Sequence, residues 1–247
     1  MIGDSLRGVE GLVKALLEKN GAGNAGRIDA TTLCRRIRSL DLSLPKRRLQ
    51  GACLVGDGTG LRLVDEGGYK TLVHGREKGK RREYQQVIII ADAKTGEIVE
   101  IDSGPFRKGQ AKETDRIRKL ARHNLAESSL VWDGAGDDAE AYADAAKLGL
   151  RFIAPPDKSA VANSATFPPK HPRTKAVRER ASIGRAAWKK KTGYHRRSMV
   201  ESVNHRFKAL FGASLASRND EAKRIDVILR AKLYNATLGL DQLRFQR

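Results

Sequence analysis

The sequence predicts an α/β fold built on a mixed sheet, and three observations carry that expectation. Two short apolar runs, "LVGDG" at 54–58 and "LVWDG" at 130–134, each end in Asp-Gly, as buried strands that turn at their carboxyl ends do. Residues 85–103, "QQVIIIADAKTGEIVEIDS", hold two β-rich runs around "AKTG", a hairpin signal. Helical and strand-like segments then alternate through the middle of the chain, a pattern that packs helices on a sheet.

In chain order, "SLRGVEGLVKALLE" (5–18) spaces Val9, Leu12, Val13, Leu16 and Leu17 as one amphipathic helix, which the Gly/Asn stretch at 20–26 ends. "DATTLCRRIRSLDL" (29–42) reads as a second helix capped by Asp29 or Thr31. "ACLVGD" (52–57) is a strand stopped by Asp-Gly, and "LRLVDEGGY" (61–69) is its continuation or a second strand. After the hairpin, 112–125 is helical, 129–134 a strand, 137–149 a helix and 150–156 a buried strand. Residues 157–192 are rich in Pro, Lys and Arg, and read as an extended basic insertion with at most a short helix near 174–181. Helices are expected over 198–211 and 219–238. The organisation expected is a short helical N-terminal segment, 1–49, ahead of one larger domain, 50–247.

Composition narrows the function classes. At 247 residues and 40% hydrophobic, the chain can bury a core and is no disordered tail. The longest apolar run, around "VIIIA" at 87–91, is strand-sized, so no membrane span is expected; no signal peptide is read at the start either. Cys34 and Cys53 lie apart with no CxxC, which indicates neither a disulfide scaffold nor a zinc site and fits the cytoplasm. The 48 Lys and Arg against 29 Asp and Glu give a net charge of +19. From Phe167 to Lys208 there are 13 basic and only 2 acidic residues. Such a surface attracts polyanions by releasing their condensed counterions, so nucleic acid is the expected partner.

Against that background, acids at strand ends stand out. If the strands of the two echoed runs are parallel neighbours, Asp57 and Asp133 face each other, and two such carboxylates repel unless a cation lies between them. Asp-Gly is also a common turn, which would explain either Asp taken singly. A third acid, Glu201, sits in "GYHRRSMVESVNHRFKALFG" (193–212) among four Arg and Lys residues. "SMVE" also reads as a capping box of Ser198 and Glu201. On a helix, Lys208 falls within about 20° of Glu201, while Val200, Val203, Phe207, Leu210 and Phe211 gather on another side.

Tyr194, Arg197, Glu201 and Lys208 fit Y-x2-R-x3-E-x6-K without a gap. This resembles the Y-R-E-K signature of DDE transposases from bacterial and archaeal insertion sequences, as "WKKKTGYHRRSMVESVNHRFKALFGASLASR" does over its length. The segments "DATTLCRRIRSL", "VGDGTGLRL" and "DAKTGEIV" are similar to that family too, so the resemblance covers about 29–240. It implies a ribonuclease-H-like fold whose DDE triad falls on Asp57, Asp133 and Glu201, 76 and 68 residues apart. It further implies metal-dependent cleavage that frees a 3′-hydroxyl, followed by strand transfer into target DNA. Three carboxylates suit two hard divalent ions, Mg2+ with Mn2+ as substitute. Tyr194, Arg197 and Lys208 would contact DNA, and two protomers are expected because two element ends must be joined.

A catalytically idle, DNA-binding remnant of such an element is the competing expectation, and a basic RNA-binding protein would explain the charge but not three acids in register. "GDGTG" fails the dinucleotide-loop spacing, and "GREKGK" at 75–80 is a residue short of a P-loop. His74, His195 and His205 are expected to be structural or to face DNA, and Trp132 and Trp188 to pack. Relatives usually place a longer helical region before the first Asp, whereas 56 residues precede Asp57 here. Strong duplex binding at low salt with poor sequence discrimination is therefore expected, and a start inside a longer reading frame is compatible with it.

Overall fold

The computed structural model describes residues 29, 31–32, 35–36, 42–63, 84–105, 113–157, 160, 168–217 and 219–244. The helix expected over 5–18, His74 and the "GREKGK" segment lie outside them. Asp29 does act as a cap, its Oδ1 accepting from the Thr32 backbone N–H at 2.7 Å.

A six-stranded sheet is the centre of the molecule. β1 (Cys53–Leu63) pairs antiparallel with β2 (Tyr84–Asp92), and β2 with β3 (Ile98–Pro105), the predicted hairpin. On the other side of β1 run β4 (Ser129–Val131) and β5 (Arg151–Ile153), both parallel, giving the order β3-β2-β1-β4-β5. The short β6 (Ser214–Leu215) pairs parallel with the far end of β1. This mixed sheet flanked by helices is the ribonuclease-H-like plan that the resemblance implied.

Asp57-Gly58 does not stop the first strand. β1 continues to Leu63 because β2 pairs with it from Leu54 to Arg62, so the weak strand preference of Gly56, Gly58 and Gly60 is overridden by a full ladder. Asp57 thus lies inside β1, level with Ile89 of β2.

Both faces of the sheet are covered, which is why "VIIIA" is apolar without alternation. Leu54, Ile88, Ile90, Leu130 and Phe152 pack with Ile117, Leu120, Tyr142 and Trp132, under the 3-10 turns Glu113–Arg122 and helix α1 (Ala139–Lys147). Val55, Val87, Ile89, Val131 and Ile153 pack on the opposite face with Trp188, Val200, Val203, Phe207, Phe211 and Tyr234. Those side chains come from α2 (Pro172–Thr192), α3 (Ser198–Phe211) and α4 (Asp220–Arg244). The helix expected over 112–125 is thus a run of 3-10 turns. Among the described residues, no helix is long and apolar enough to cross a membrane.

The stretch read as extended over 157–192 is corrected by α2, a 21-residue helix. Pro155, Pro156, Pro168 and Pro169 all precede it, and Pro172 occupies its first turn, where a missing N–H costs nothing. His171 Nδ1 accepts from the Arg173 N–H, Arg and Lys are good helix formers, and Gly193 (φ 71°) ends the helix in the left-handed region. Gly184 (φ 78°) kinks it midway. Thr174, Val177 and Trp188 anchor an otherwise polar helix.

The start of α2 is clamped to the segment just beyond β4. Arg173 donates from Nε and Nη2 to the two Asp137 oxygens at 2.8 and 2.7 Å, and Asp137 Oδ2 also accepts from the Asp157 N–H. The Asp137 side chain is only 4% exposed. Removing the guanidinium leaves a buried carboxylate without its ion partner, so Arg173→Ala is expected to destabilise the protein by about 3 kcal/mol. Arg173→Lys should recover only part of this, since an ammonium cannot reproduce the fork. Denaturant titration of the two variants measures both effects.

Candidate active site

The pairing of β1 with β4 fixes the first two candidate acids. Leu54 lies opposite Leu130 and Val55 opposite Val131. Two residues further along each strand come Asp57 and Asp133, so the register carried forward sets them level on neighbouring parallel strands. Alternation turns Asp57 to the same face as Val55, the face covered by α3.

Between the pairs and the acids stand Gly56 and Trp132, which pack on each other. A Cβ placed on Gly56 would collide with the edge of the six-membered ring of Trp132, closest to Cζ3 and Cε3. A Cβ on Gly136 would lie 2.7 Å from Cδ1 of the same indole. Trp132 is 1% exposed, and its backbone N–H donates to Ile153 O at 2.9 Å. The two echoed sequences therefore interlock, a glycine in one making room for the tryptophan of the other. Asp133 Oδ1 accepts from the Ala135 N–H at 3.0 Å, so this acid also shapes the turn that follows it.

The third acid arrives on α3. The chain enters that helix through a 3-10 turn, Tyr194–Arg197, and this changes the expected cap. Ser198 is the first helical residue rather than the cap, and its Oγ donates to His195 O at 3.1 Å. No side-chain cap forms, so the capping box read from "SMVE" is absent. Glu201 instead accepts from Arg197 Nη1 at 2.5 Å. Arg197 Nη2 stands 3.5 Å from Asp57 Oδ1, so one guanidinium bridges Asp57 and Glu201. Asp57 Oδ2 accepts from Asn204 Nδ2 at 3.1 Å.

Burial pushes the Asp57 carboxyl above the ordinary carboxylate range; Arg197 opposes this, while Asp133 and Glu201 add to it. Burial works against the Arg197 charge, yet Asp57, Tyr194 and Glu201 together outweigh it and hold the guanidinium above its usual value. Tyr194 is raised by burial first, with Arg197 and Arg185 opposing and Asp133 and Glu201 adding. Asp57 and Tyr194 thus each feel the charges of Asp133, Glu201 and Arg197.

The remaining residues divide. Tyr194 packs against Trp188, ring centroids 6.0 Å apart, and Lys189 Nζ lies 5.3 Å over its ring, so one face of this ring is already engaged. Lys208 is half-buried on α3, and no ion pair to it forms among the described residues. His195 and His205 are exposed, while Trp132 and Trp188 are buried packing residues as expected. Leu210 is 43% exposed and leaves the apolar face assigned to it; Asn204 is buried on that side instead. Sequence reasoning missed Asn204, although its spacing, three residues after Glu201 and four before Lys208, placed it beside their stripe.

Asp57, Asp133 and Glu201 offer only carboxylate oxygens, the donors a hard divalent ion takes, and the disfavoured charge on Asp57 is one that a cation would relieve. Among the described residues, no three Asp, Glu, His or Cys side chains form a ready-made metal cluster. The fit is therefore one of donor chemistry, with Arg197 standing between Asp57 and Glu201.

Residues 50–236 match the family model described as Transposase DDE domain. Among solved structures, the chain is similar to the Mos1 transposase paired-end complex with left transposon end. That match has 11% identity and a TM-score of 0.28, covering 93% of this chain and 78% of the other. A pre-cleavage Mos1 transpososome matches at 11% identity and TM-score 0.25 over the same shares.

Proposed function

We propose, from the premise that the chain belongs to the Transposase DDE domain family, that it cleaves DNA at the ends of an insertion sequence and transfers the freed strand. The observation that best supports this is the β1–β4 register, which carries Asp57 and Asp133 to one level beneath the helix that bears Glu201. Asp57, Asp133 and Glu201 would hold divalent ions, two Mg2+ with Mn2+ as substitute. Bound there, such ions supply charge stabilisation to the attacking and leaving oxygens of a phosphodiester.

The chain's own residues do the rest. Arg197 and Lys208 bind phosphates, Arg197 as a fork. Lys189, over the Tyr194 ring, and Arg185, whose charge acts on Tyr194, extend the basic surface along α2. Tyr194 offers its less covered side to a base or phosphate. Hydrolysis frees a 3′-hydroxyl at the element's end, and that hydroxyl attacks target DNA in line. Two protomers act together, since two ends are joined.

One observation favours the second reading, a DNA-binding remnant without activity: the guanidinium of Arg197 already pairs with both Asp57 and Glu201. In the active reading, DNA resolves this, because a phosphate competes for the same fork and leaves the acids free. Arg197→Ala should therefore lower DNA affinity and flatten its salt dependence by about one phosphate's worth, as Lys208→Ala should. Arg197→Ala alone should also tighten Mg2+ binding to the DNA-free protein. Unchanged Mg2+ affinity in calorimetric titrations would show that Arg197 does not guard the acids.

The function itself is tested by incubating the purified chain with duplex DNA carrying the element's own ends. Mg2+-dependent cleavage that a chelator stops is the expected result. Duplex binding with no cleavage in Mg2+ or Mn2+ would leave the remnant.

A further inference from the structure

Asn204 is a buried polar residue in an apolar setting. It lies on α3 between Val200, Val203 and Phe207, each at most 2% exposed, and is itself 9% exposed. Its Nδ2 donates to Asp57 Oδ2 at 3.1 Å, but its Oδ1 is buried with no hydrogen-bond partner among the described residues. A branched apolar side chain of the same size would fill this place with no orphaned oxygen. Buried polar groups are nearly always satisfied, so an unsatisfied one calls for an explanation.

The amide's orientation follows from Asp57. An ionised carboxylate can only accept, so the amide must turn its N–H toward it and leave its own oxygen behind. The cost falls on Oδ1, and the gain is a fixed donor to Asp57. The two carboxylate oxygens are thereby distinguished: Oδ2 is tied to Asn204, while Oδ1 looks toward Arg197, which in turn holds Glu201. Glu201, Asn204 and Lys208 follow one another at i, i+3 and i+7 on α3. The helix that presents the third acid therefore also orients the first.

We propose that Asn204 is a positioning residue for Asp57, its Nδ2–H group fixing one carboxylate oxygen so that the other is presented toward Glu201. This rests on the reading of Asp57 as a metal-holding acid. Partners of this kind, one step removed from a metal, set the direction of the ligand's lone pairs, and their loss commonly weakens metal binding by about 10–100-fold.

The test uses the full chain and three variants: Asn204→Leu, which keeps volume and loses the donor; Asn204→Ser, which keeps a short donor; and Asp57→Ala. Mn2+ affinity is read by electron paramagnetic resonance with a short duplex of arbitrary sequence present, and nicking is read on supercoiled plasmid in Mn2+. Thermal melting reports the fold. Asn204→Leu should bind Mn2+ about 10–100-fold more weakly and nick correspondingly slowly, with duplex affinity unchanged and melting unchanged or raised. Asn204→Ser should lie between it and the unaltered chain. Were Asn204→Leu not to fold, Asn204→Ser would decide alone, with a several-fold weaker Mn2+ affinity expected. Mn2+ affinity and nicking equal to those of the unaltered chain, in whichever variant folds, would make Asn204 a packing residue and overturn the proposal. Full Mn2+ binding by Asp57→Ala, or none by the unaltered chain, would remove the reading of Asp57 itself and the proposal with it.

Discussion

Asp57→Asn is expected to reduce strand cleavage by roughly three orders of magnitude or more, about 4 kcal/mol of transition-state stabilisation, while leaving duplex affinity nearly intact. The substitution keeps the shape of the side chain and its place level with Asp133, but removes the charge that would hold a cation. The same variant should melt higher than the unaltered protein in metal-free buffer at neutral pH. Burial, Asp133 and Glu201 hold the Asp57 carboxyl above its unfolded value of 3.8 despite Arg197, so the ionised form is disfavoured in the folded state. The folded chain then binds the proton more tightly than the unfolded chain, and stability falls as pH rises through the window above 3.8. Asparagine escapes this penalty. Its advantage should be complete at neutral pH, shrink as pH falls through the raised value, and vanish below the unfolded one. Mg2+ should stabilise the unaltered protein and not the variant. Cleavage near the unaltered rate would remove Asp57 from the triad; a lower melting temperature at neutral pH would show that Arg197 outweighs the burial. Asp133→Ala and Glu201→Ala should lose cleavage to the same extent.

Part of this site was legible in the chain. The two Asp-Gly runs could be read as neighbouring parallel strands because buried strands leave continuous apolar stretches, and the hairpin at 93–96 announced itself through its turn residues. Tyr194, Arg197 and Glu201 could be grouped only by the resemblance to the Y-R-E-K signature, because helical spacing alone could not project residues that precede the helix. The helix α2 was not legible: it buries only Thr174, Val177 and Trp188, too few for a periodic signal, and the prolines ahead of it suggested an extended segment. Nor was the cap of α3, since the 3-10 turn ahead of Ser198 depends on Gly193 adopting a left-handed conformation. Asn204 was invisible for a different reason. An uncharged amide acquires meaning only from what it touches, and its partner is 147 residues away.

Gly56→Ala should cost about 3 kcal/mol of stability or more, the upper range for forcing extra volume into a packed core. The added methyl would collide with the edge of the Trp132 indole, and neither side can yield easily. Gly56 sits within the paired length of β1, and Trp132 is held by its N–H bond to Ile153 and by the close backbone of Gly136. The strain must therefore move β4 against β1, and that movement carries Asp133 away from Asp57. Cleavage should fall by more than the folded fraction accounts for, which single-turnover rates at a temperature well below melting would measure. Trp132→Ala should also be costly, by about 3–5 kcal/mol, because it empties a fully buried site. In the double variant, however, the alanine at 56 meets no indole, and the loss should be smaller than the sum of the two by about 1–3 kcal/mol. That sign identifies the contact as the cause, since two independent losses would add. A Gly56→Ala protein within about 0.5 kcal/mol of the unaltered one, and cleaving at the same rate, would show that the two echoed runs do not set each other's register.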